Sequence, residues 1–284
     1  MHPNNRFQED YDFVSLTKLE SALQPYLKKN KLGKVSLDYG NSEAVKLLNK
    51  TLLRQQYGIE FWDIPTGYLC PPIPSRLDYL LYVADLLGQQ NTPRFTRLLD
   101  IGTGANCIYP ILAVKEFGWQ AVGTEIDPKA LRVAQAIVTA NRALKGKISI
   151  RQQVDPNAIF AGVTAREEYF DVCVCNPPFY QSAQEATANW ERKKRGLKQP
   201  STKRNFGGQD TELWTKGGEK AFALRMIKES EQRPKLCSWF SILIAKQQHE
   251  TPVVQALKLA RARKVEIIAL AQGNKKGRIV AWQF

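Results

Sequence analysis

Asn176, Pro177, Pro178 and Phe179 stand together directly after an apolar run at 169–175, YFDVCVC. Two prolines cannot extend a β-ladder, so a simple strand stop would account for them. It would not account for an amide before them or an aromatic ring after them. The asparagine amide can accept and donate hydrogen bonds, the prolines stiffen the backbone, and the ring offers a stacking face. A second cluster lies at 98–106, LLDIGTGAN, where an apolar run ends in Asp100 and a turn follows with Gly102 and Gly104. Glycines there allow a tight turn and a ligand's close approach to the backbone. The third glycine of a dinucleotide fingerprint is missing, since Asn106 and Cys107 stand near its place, so a ligand without a pyrophosphate fits better than NAD or FAD. A third cluster, GTEIDP at 123–128, places Glu125 21 positions after Gly104. An acid at that spacing can accept both hydroxyls of a ribose. Asp127 is its rival, but it precedes Pro128 and can instead cap a helix. Together the clusters predict nucleoside binding.

These residues need a scaffold, and the pattern of the chain supplies one. Short β-rich runs at 97–102, 121–126, 147–152, 169–175, 236–245, 265–271 and 277–284 alternate with helical spacing at 128–145 and 218–233. Alternation of this kind predicts an α/β fold, a doubly wound, Rossmann-like parallel sheet of seven strands. The last two runs are joined only by 272–276, QGNKK, too short for a crossover helix, so they should form an antiparallel C-terminal hairpin. Segments 15–30 and 42–56 read as helices decorated with Lys18, Lys28, Lys29, Lys31, Lys34, Lys46, Lys50 and Arg54. Segment 69–76, LCPPIPSR, carries three prolines and reads as an irregular lead-in to a helix at 77–87. The expected division is a small helical, basic N-terminal module at 1–92 and a sheet domain at 93–284. Within the second, a long basic insertion at 180–218 interrupts the alternation, and connections of that length are usually functional or disordered.

Composition narrows the partners. The 284 residues carry 41 Lys+Arg against 27 Asp+Glu, a formal charge of +14, which calls for a polyanion. Seven of those cations, Arg192, Lys193, Lys194, Arg195, Lys198, Lys203 and Arg204, fall within 191–204 beside a single acid. No apolar stretch approaches the roughly 20 residues of a membrane span, and the first residues lack the apolar core of a secretory signal. Five cysteines without a CxxC pair fit free thiols in a reducing cytosol, so a cytoplasmic location is expected. Only two histidines occur, His2 and His249, which speaks against a histidine-rich metal site and against Ser/His/Asp catalysis. Cys173 and Cys175 alternate along one strand and should pack as small hydrophobes.

NPPF after the fourth strand resembles the [DNS]PP[YFW] motif of S-adenosylmethionine-dependent amino-group methyltransferases, whose sheet ends in an antiparallel hairpin. DIGTGANCIYP at 100–110, CNPPFY at 175–180, GGQDTELWTKGGE at 207–219 and the closing AWQF resemble more narrowly the adenine-N6 RNA methyltransferase family. That family unites the bacterial large-subunit (23S) rRNA enzyme with a eukaryotic enzyme acting on spliceosomal small nuclear RNA. VSLDYGNSEAVKLLNKTLL at 35–53 and PPIPSRLDYL at 71–80 are also similar, so the likeness runs nearly end to end. With no eukaryote-like C-terminal extension, the chain looks like the bacterial rRNA member.

The resemblance implies a cofactor, S-adenosyl-L-methionine, held by Asp100, Gly102, Gly104, Asn106 and Glu125. Arg76, in the PSRLDY match, is the candidate for the cofactor's carboxylate, with a phosphate contact or a surface ion pair as equal alternatives. Segment 155–158, DPNA, falls where the superfamily borders the cofactor's adenine. The implied reaction is methyl transfer to N6 of an adenosine in large-subunit rRNA, free or in an assembly intermediate, with no metal and no obligate protein partner. The N6 lone pair is delocalised into the purine ring and is a poor nucleophile. Asn176 Oδ1 and the Pro177 carbonyl can accept its two N–H groups and favour a pyramidal nitrogen, while Phe179 stacks on the base. Tyr180 is a weaker stacking candidate. The cations of 191–204 would neutralise phosphates around an extruded adenosine, with Trp190 stacking on a neighbouring base. Alternatives are a protein-glutamine N5 methyltransferase, which the basic excess disfavours, a DNA adenine methyltransferase, or an RNA-binding assembly factor with a vestigial pocket, against which the intact motifs argue.

Overall fold

The computed structural model describes residues 1–30, 32–88, 95–182, 184, 185, 187, 210–272 and 275–284. The chain opens with α1 (Phe13–Leu19), whose N–H groups at Val14 and Ser15 are capped by Asp12 Oδ1 at 3.1 Å. The helix expected over 15–30 does not form. Glu20 turns extended (φ −141°), a 3₁₀ turn holding Pro25 follows over Ser21–Tyr26, and β1 (Leu27–Lys29) pairs antiparallel with β2 (Val35–Leu37). A proline in that stretch removes a helical donor, and the short ladder satisfies the backbone instead. Helix α2 (Ser42–Tyr57) starts from Asn41, whose Oδ1 accepts from Glu43 and Ala44, and ends at Gly58 with φ 61°. Helix α3 (Ile73–Leu86) begins four residues earlier than expected, because Pro74 falls in the first turn, where a missing N–H costs nothing.

The sheet follows as β3 (Arg97–Ile101), α4 (Ile108–Phe117), β4 (Gln120–Glu125), α5 (Pro128–Ala140), β5 (Ile148–Gln152) and β6 (Phe170–Cys175). It continues through α6 (Asp210–Leu213), α7 (Gly218–Gln232), β7 (Cys237–Ile244), α8 (Glu250–Leu259), β8 (Lys264–Gln272) and β9 (Lys275–Gln283). Its strand order is β5-β4-β3-β6-β7-β9-β8, parallel through β7, with β9 antiparallel to both of its neighbours. The predicted seven-stranded α/β sheet and its closing hairpin are therefore present. Helix α5 stops short of the expected residue 145. Asn141 Nδ2 donates to the carbonyls of Ile137 and Phe61, each at 2.8 Å, and its Oδ1 accepts from Glu60 at 3.0 Å and Phe61 at 3.2 Å. That side chain takes over the helix end and fastens it to the N-terminal segment.

Alternation along the strands splits the core between the two faces of the sheet. Leu98, Val172, Val174 and Ile279 face α4 and α3, in one continuous cluster with Leu16, Leu48, Leu52 and Trp62 of the N-terminal segment. Leu99, Cys173, Cys175, Phe240 and Trp282 face Met226, Ile227, Val253 and Leu257 of α7 and α8. Cys173 and Cys175 thus share a face and are fully buried, and burial holds both thiols well above the ordinary range. The boundary expected near 89–93 lies outside the described residues.

Candidate active site

The C-terminal ends of β3, β4 and β6 border a cleft. In a doubly wound sheet this edge is where ligands bind, because the strands diverge there and helix starts face inward. Gly102 (φ 74°) and Gly104 (φ 64°) take left-handed backbone conformations, and the N–H groups of Gly102 and Thr103 both donate to the Thr124 carbonyl at 3.0 and 2.9 Å. A Cβ on Gly104 would stand 3.1 Å from Asn106 Nδ2 and 3.3 Å from Glu212 Oε1, so the turn is held open by the absence of a side chain. Glu125 lines the cleft and is 5% exposed. Its Oε2 accepts from Gly104 N at 2.8 Å, and its Oε1 accepts from Ile126 N at 2.8 Å and Asp127 N at 2.9 Å. Burial raises its carboxyl, while those backbone bonds pull it back. Asp127 is occupied elsewhere: Oδ1 caps α5 through Lys129 N, and Oδ2 accepts from the Tyr68 hydroxyl, both at 2.9 Å.

Asn106 also borders the cleft, although its side chain is committed to the turn. Oδ1 accepts from Ile108 N at 3.1 Å and Nδ2 donates to the Leu69 carbonyl at 3.3 Å. Its own carbonyl accepts from Trp62 Nε1 at 2.9 Å, so a buried N-terminal ring props the glycine turn. Asp100 is placed differently from the cofactor contact that the motif suggested. It is fully buried behind the turn, does not line the cleft, and is raised by burial to about 7. Strand alternation points it to the same face as Leu98. Arg76 of α3 lines the cleft at 8% exposure, its guanidinium carbon 5.7 Å from the Tyr109 ring centroid. Its positive charge offsets part of the penalty on Asp100.

From β6 come Asn176, Pro177 and Pro178, all at the cleft wall. The Asn176 Oδ1 atom is buried and accepts no hydrogen bond from any described residue. Phe179 is half-buried and does not line the cleft, unlike the stacking position expected for it. The chain continues to Tyr180, which forms an isolated parallel bridge with Trp214: Tyr180 N donates to the Leu213 carbonyl at 3.0 Å and Thr215 N to the Tyr180 carbonyl at 3.1 Å. Gly218 (φ 66°) lets the start of α7 press against this segment, since a Cβ there would lie 2.9 Å from Gln181 Cγ. Trp190, Arg192, Lys193, Lys194, Arg195, Lys198, Lys203 and Arg204 lie outside the described residues, as does Lys31. Several N-terminal cations are already paired, Lys28 with Asp38 at 2.6 Å, Lys34 with Asp10 at 2.7 Å, and Arg54 with Glu60 at 3.0 Å.

Three residues join the site that motif reading passed over. Tyr79, one turn beyond Arg76 on α3, is fully buried, with its hydroxyl 3.0 Å from Ser241 Oγ and 3.4 Å from the N–H of Cys175. It fixes the end of β6 just before Asn176, and helical spacing from Arg76 was the signal that could have found it. Glu229 of α7 accepts from Ile159 N at 2.7 Å and Phe160 N at 2.8 Å, fastening the 155–161 loop whose Pro156, Ala158 and Ile159 border the cleft. Glu212 of α6 reaches the cleft from the far side, Oε2 accepting from Leu69 N at 2.9 Å. Nothing in local sequence ties it to Asn176, 36 residues earlier. Among the described residues no group of three or more His, Cys, Asp or Glu is arranged to hold a metal, and no helix is long and apolar enough to cross a membrane.

Comparison with known proteins places this geometry among relatives. A family described as RNA methyltransferase matches residues 1–284. The ribosomal RNA large subunit methyltransferase F of Yersinia enterocolitica is 45% identical over 293 residues, covering all of this chain and 88% of that protein. Its counterpart in Pectobacterium atrosepticum is 43% identical over 288 residues, with 100% and 93% covered. Among solved structures, the human Mettl16 catalytic domain in complex with a MAT2A 3′UTR hairpin superimposes with a TM-score of 0.85 at 31% identity, covering 100% of this chain and 95% of that one. The N-terminal domain of human METTL16 in complex with SAH gives 0.82 at 31% identity, with 100% and 98% covered.

Proposed function

The chain belongs to the RNA methyltransferase family, and on that premise we propose that it transfers a methyl group from S-adenosyl-L-methionine to N6 of an adenosine in large-subunit rRNA, giving N6-methyladenosine. The observation that carries this reading is Asn176 Oδ1, a buried acceptor at the cleft wall with no hydrogen-bonding partner among the described residues. A buried acceptor left unmade costs about 1–3 kcal/mol, a cost offset when a substrate N–H arrives. The names of the relatives from Yersinia and Pectobacterium support large-subunit rRNA as the substrate.

The residues present fit the cofactor. Gly102 and Gly104 leave room for close backbone approach, Glu125 can accept ribose hydroxyls, and Arg76 can take a carboxylate. When bound, S-adenosyl-L-methionine supplies an electrophilic methyl on a sulfonium sulfur, and the reaction exchanges its C–S bond for a C–N bond. Asn176 Oδ1 accepts one N–H of the adenine amino group, and the Pro177 carbonyl accepts the other. Drawing both protons to one side turns the nitrogen lone pair toward the methyl and localises it. The two prolines and the Tyr79 hydroxyl hold this frame before the base arrives, so little reorganisation remains at the moment of transfer. The alkylated nitrogen is cationic and sheds its proton to water, so no side-chain base is required. Phe179 stacks on the base once it enters, which requires that ring to swing from its present half-buried place.

Residues 93–284 form most of the catalytic portion in this reading, with Arg76 and Tyr79 supplied by 1–92, which is otherwise the RNA-contacting module. The cations at 192–204 contact the phosphates of the RNA and Trp190 stacks on a neighbouring base, the RNA being free or in a ribosome-assembly intermediate in the cytoplasm. Incubating rRNA from a strain lacking this gene with the protein and tritiated cofactor should label the large-subunit rRNA. Mass spectrometry of the digested nucleosides should then show N6-methyladenosine only with active protein; label on protein, DNA or another nucleoside would overturn the reading.

A further inference from the structure

Segment 60–69 lies along α5 from one end to the other. At the far end Asn141 Oδ1 accepts from Glu60 N and Phe61 N, and Asn141 Nδ2 donates to the Phe61 carbonyl. At the near end the Tyr68 hydroxyl donates to Asp127 Oδ2, beside Leu69, which already lines the cleft. Between these two clasps runs a groove walled by Phe61, Ile64 and Pro65 on one side and by Val133, Ala136 and Ala140 on the other. Along the 13 residues of α5 this track is about 20 Å long, and its near end opens toward the cleft.

Three features say what the groove takes. Phe61 is 63% exposed, yet Asn141 holds both its N–H and its carbonyl, so the ring stands in solvent on a fixed mount. Residues 128–154 contain no Asp or Glu, whereas Lys129, Arg132, Arg142, Lys145 and Lys147 fall among them, all exposed and without an ion pair among the described residues. Lys129 and Arg132 stand one helical turn before Val133 and Ala136, on the cleftward side of the groove. The acids at its rim are already matched, Glu60 by Arg54 at 3.0 Å and Asp63 by Lys46 at 3.3 Å. A rigid stacking ring beside unmatched cations is the combination that holds single-stranded nucleic acid.

We infer that this groove carries the single strand flanking the target adenosine, with a base stacking on Phe61 and phosphates meeting Lys129 and Arg132. This rests on the RNA methyltransferase reading above and adds a surface drawn from other residues than those at 192–204.

Fluorescence anisotropy with a labelled oligoadenylate of about 12 nucleotides, between about 50 and 300 mM salt, tests it. Phe61→Ala should weaken binding about tenfold at every salt concentration, because stacking is uncharged. Lys129→Gln combined with Arg132→Gln should instead lower the slope of log K against log salt by about 1.4, the loss of two single-strand phosphate contacts. Both variants should leave the Kd for S-adenosyl-L-methionine unchanged, since none of these residues lines the cofactor cleft. Either variant matching the unsubstituted protein in both affinity and slope would overturn the inference. So would a loss of self-association in sedimentation with RNA affinity intact, which would make the groove an interface between copies. If the unsubstituted protein binds S-adenosyl-L-methionine but not the oligonucleotide, this inference alone falls. If it binds neither, the methyltransferase reading itself fails.

Discussion

The backbone N–H of Gly104 donates to Glu125 Oε2 at 2.8 Å, joining the glycine turn after β3 to the acid that ends β4. Two motifs that stand 21 residues apart are thus one clasp, closed again by the Thr124 carbonyl, which accepts from Gly102 and Thr103. The carboxylate that can meet a ribose is also the one that shapes the turn, so it serves binding and folding together.

Glu125→Ala should therefore do two things at once. Removing it orphans three backbone N–H groups, a loss of about 2–4 kcal/mol in a buried setting. Calorimetry should show the Kd for S-adenosyl-L-methionine rising at least about tenfold, and thermal melting should drop by several degrees. A Kd left unchanged would remove Glu125 from the cofactor site.

Asn176→Ala should behave in the opposite manner. Its Oδ1 makes no hydrogen bond among the described residues, so the melting temperature should stay within about 2 °C. Single-turnover methyl transfer should fall roughly 100- to 1,000-fold, as loss of one preorganised acceptor does elsewhere. Cofactor affinity should remain within about threefold. Retained turnover would refute the role given to the amide.

Asp100 makes apo stability depend on pH. Burial raises its carboxyl from 3.8 to about 7, so the folded state holds that proton more tightly than the unfolded chain. The contribution is full below about pH 4 and is lost as pH climbs through 7, at most ~4 kcal/mol. Glu168 titrates in another window: hydrogen bonding from Arg151, with a further bond from Arg97, lowers it to about 2, and its contribution is lost only as pH falls from 4.5 toward 2. Urea denaturation at pH 5 and pH 8 should show a smaller loss for Asp100→Asn than for the unsubstituted protein; parallel losses would count against the assignment.

Gly218→Ala and Gly88→Ala make a matched pair. Both positions have φ 66°, but a Cβ at 88 meets nothing within 4 Å, whereas one at 218 lies 2.9 Å from Gln181 Cγ and 3.4 Å from Gln181 N. The first substitution carries only the left-handed backbone strain, about 1 kcal/mol. The second should cost more and should lower methyl transfer as well, because it displaces the segment following Phe179. Equal effects on stability and none on turnover would show that the contact carries no weight.

Replacing Arg192, Lys193, Lys194, Arg195, Lys198, Lys203 and Arg204 with Gln should flatten the dependence of RNA affinity on salt. Each lost phosphate contact lowers the slope of log K against log salt by about one. Filter binding of an rRNA fragment from 50 to about 300 mM salt reads this directly, and an unaltered slope would return the segment to solvent.

Much of this was legible in the chain because parallel strands buried on both faces leave long apolar runs that few other elements produce. All seven sheet strands fall within two residues of their expected bounds at each end, and Asp127 does cap α5 as its place before Pro128 suggested. The misses have a common character. Helical spacing over 15–30 is real, yet Pro25 and the partner strand at 35–37 override it, and pairing with a distant segment is invisible locally. Pro74 reads in the sequence as part of an irregular lead-in, yet it stands in the first turn of α3, a matter of one turn's position. Asp100 reads as a ligand from its motif, while the fold buries it completely and leaves it out of the cleft lining. Glu212 and Tyr79 reach the site only through tertiary contacts, which spacing along the chain does not encode.

The Tyr180–Trp214 bridge sets both ends of a long excursion side by side, immediately beyond the Asn-Pro-Pro frame. Closing a loop of n residues costs roughly (3/2)RT ln n, so doubling its length adds only ~0.6 kcal/mol. Whatever is inserted above such a knot can lengthen, shorten or change its charge while the strand below keeps its register. One reaction centre can in this way be refitted to differently folded transcripts by exchanging a single cassette.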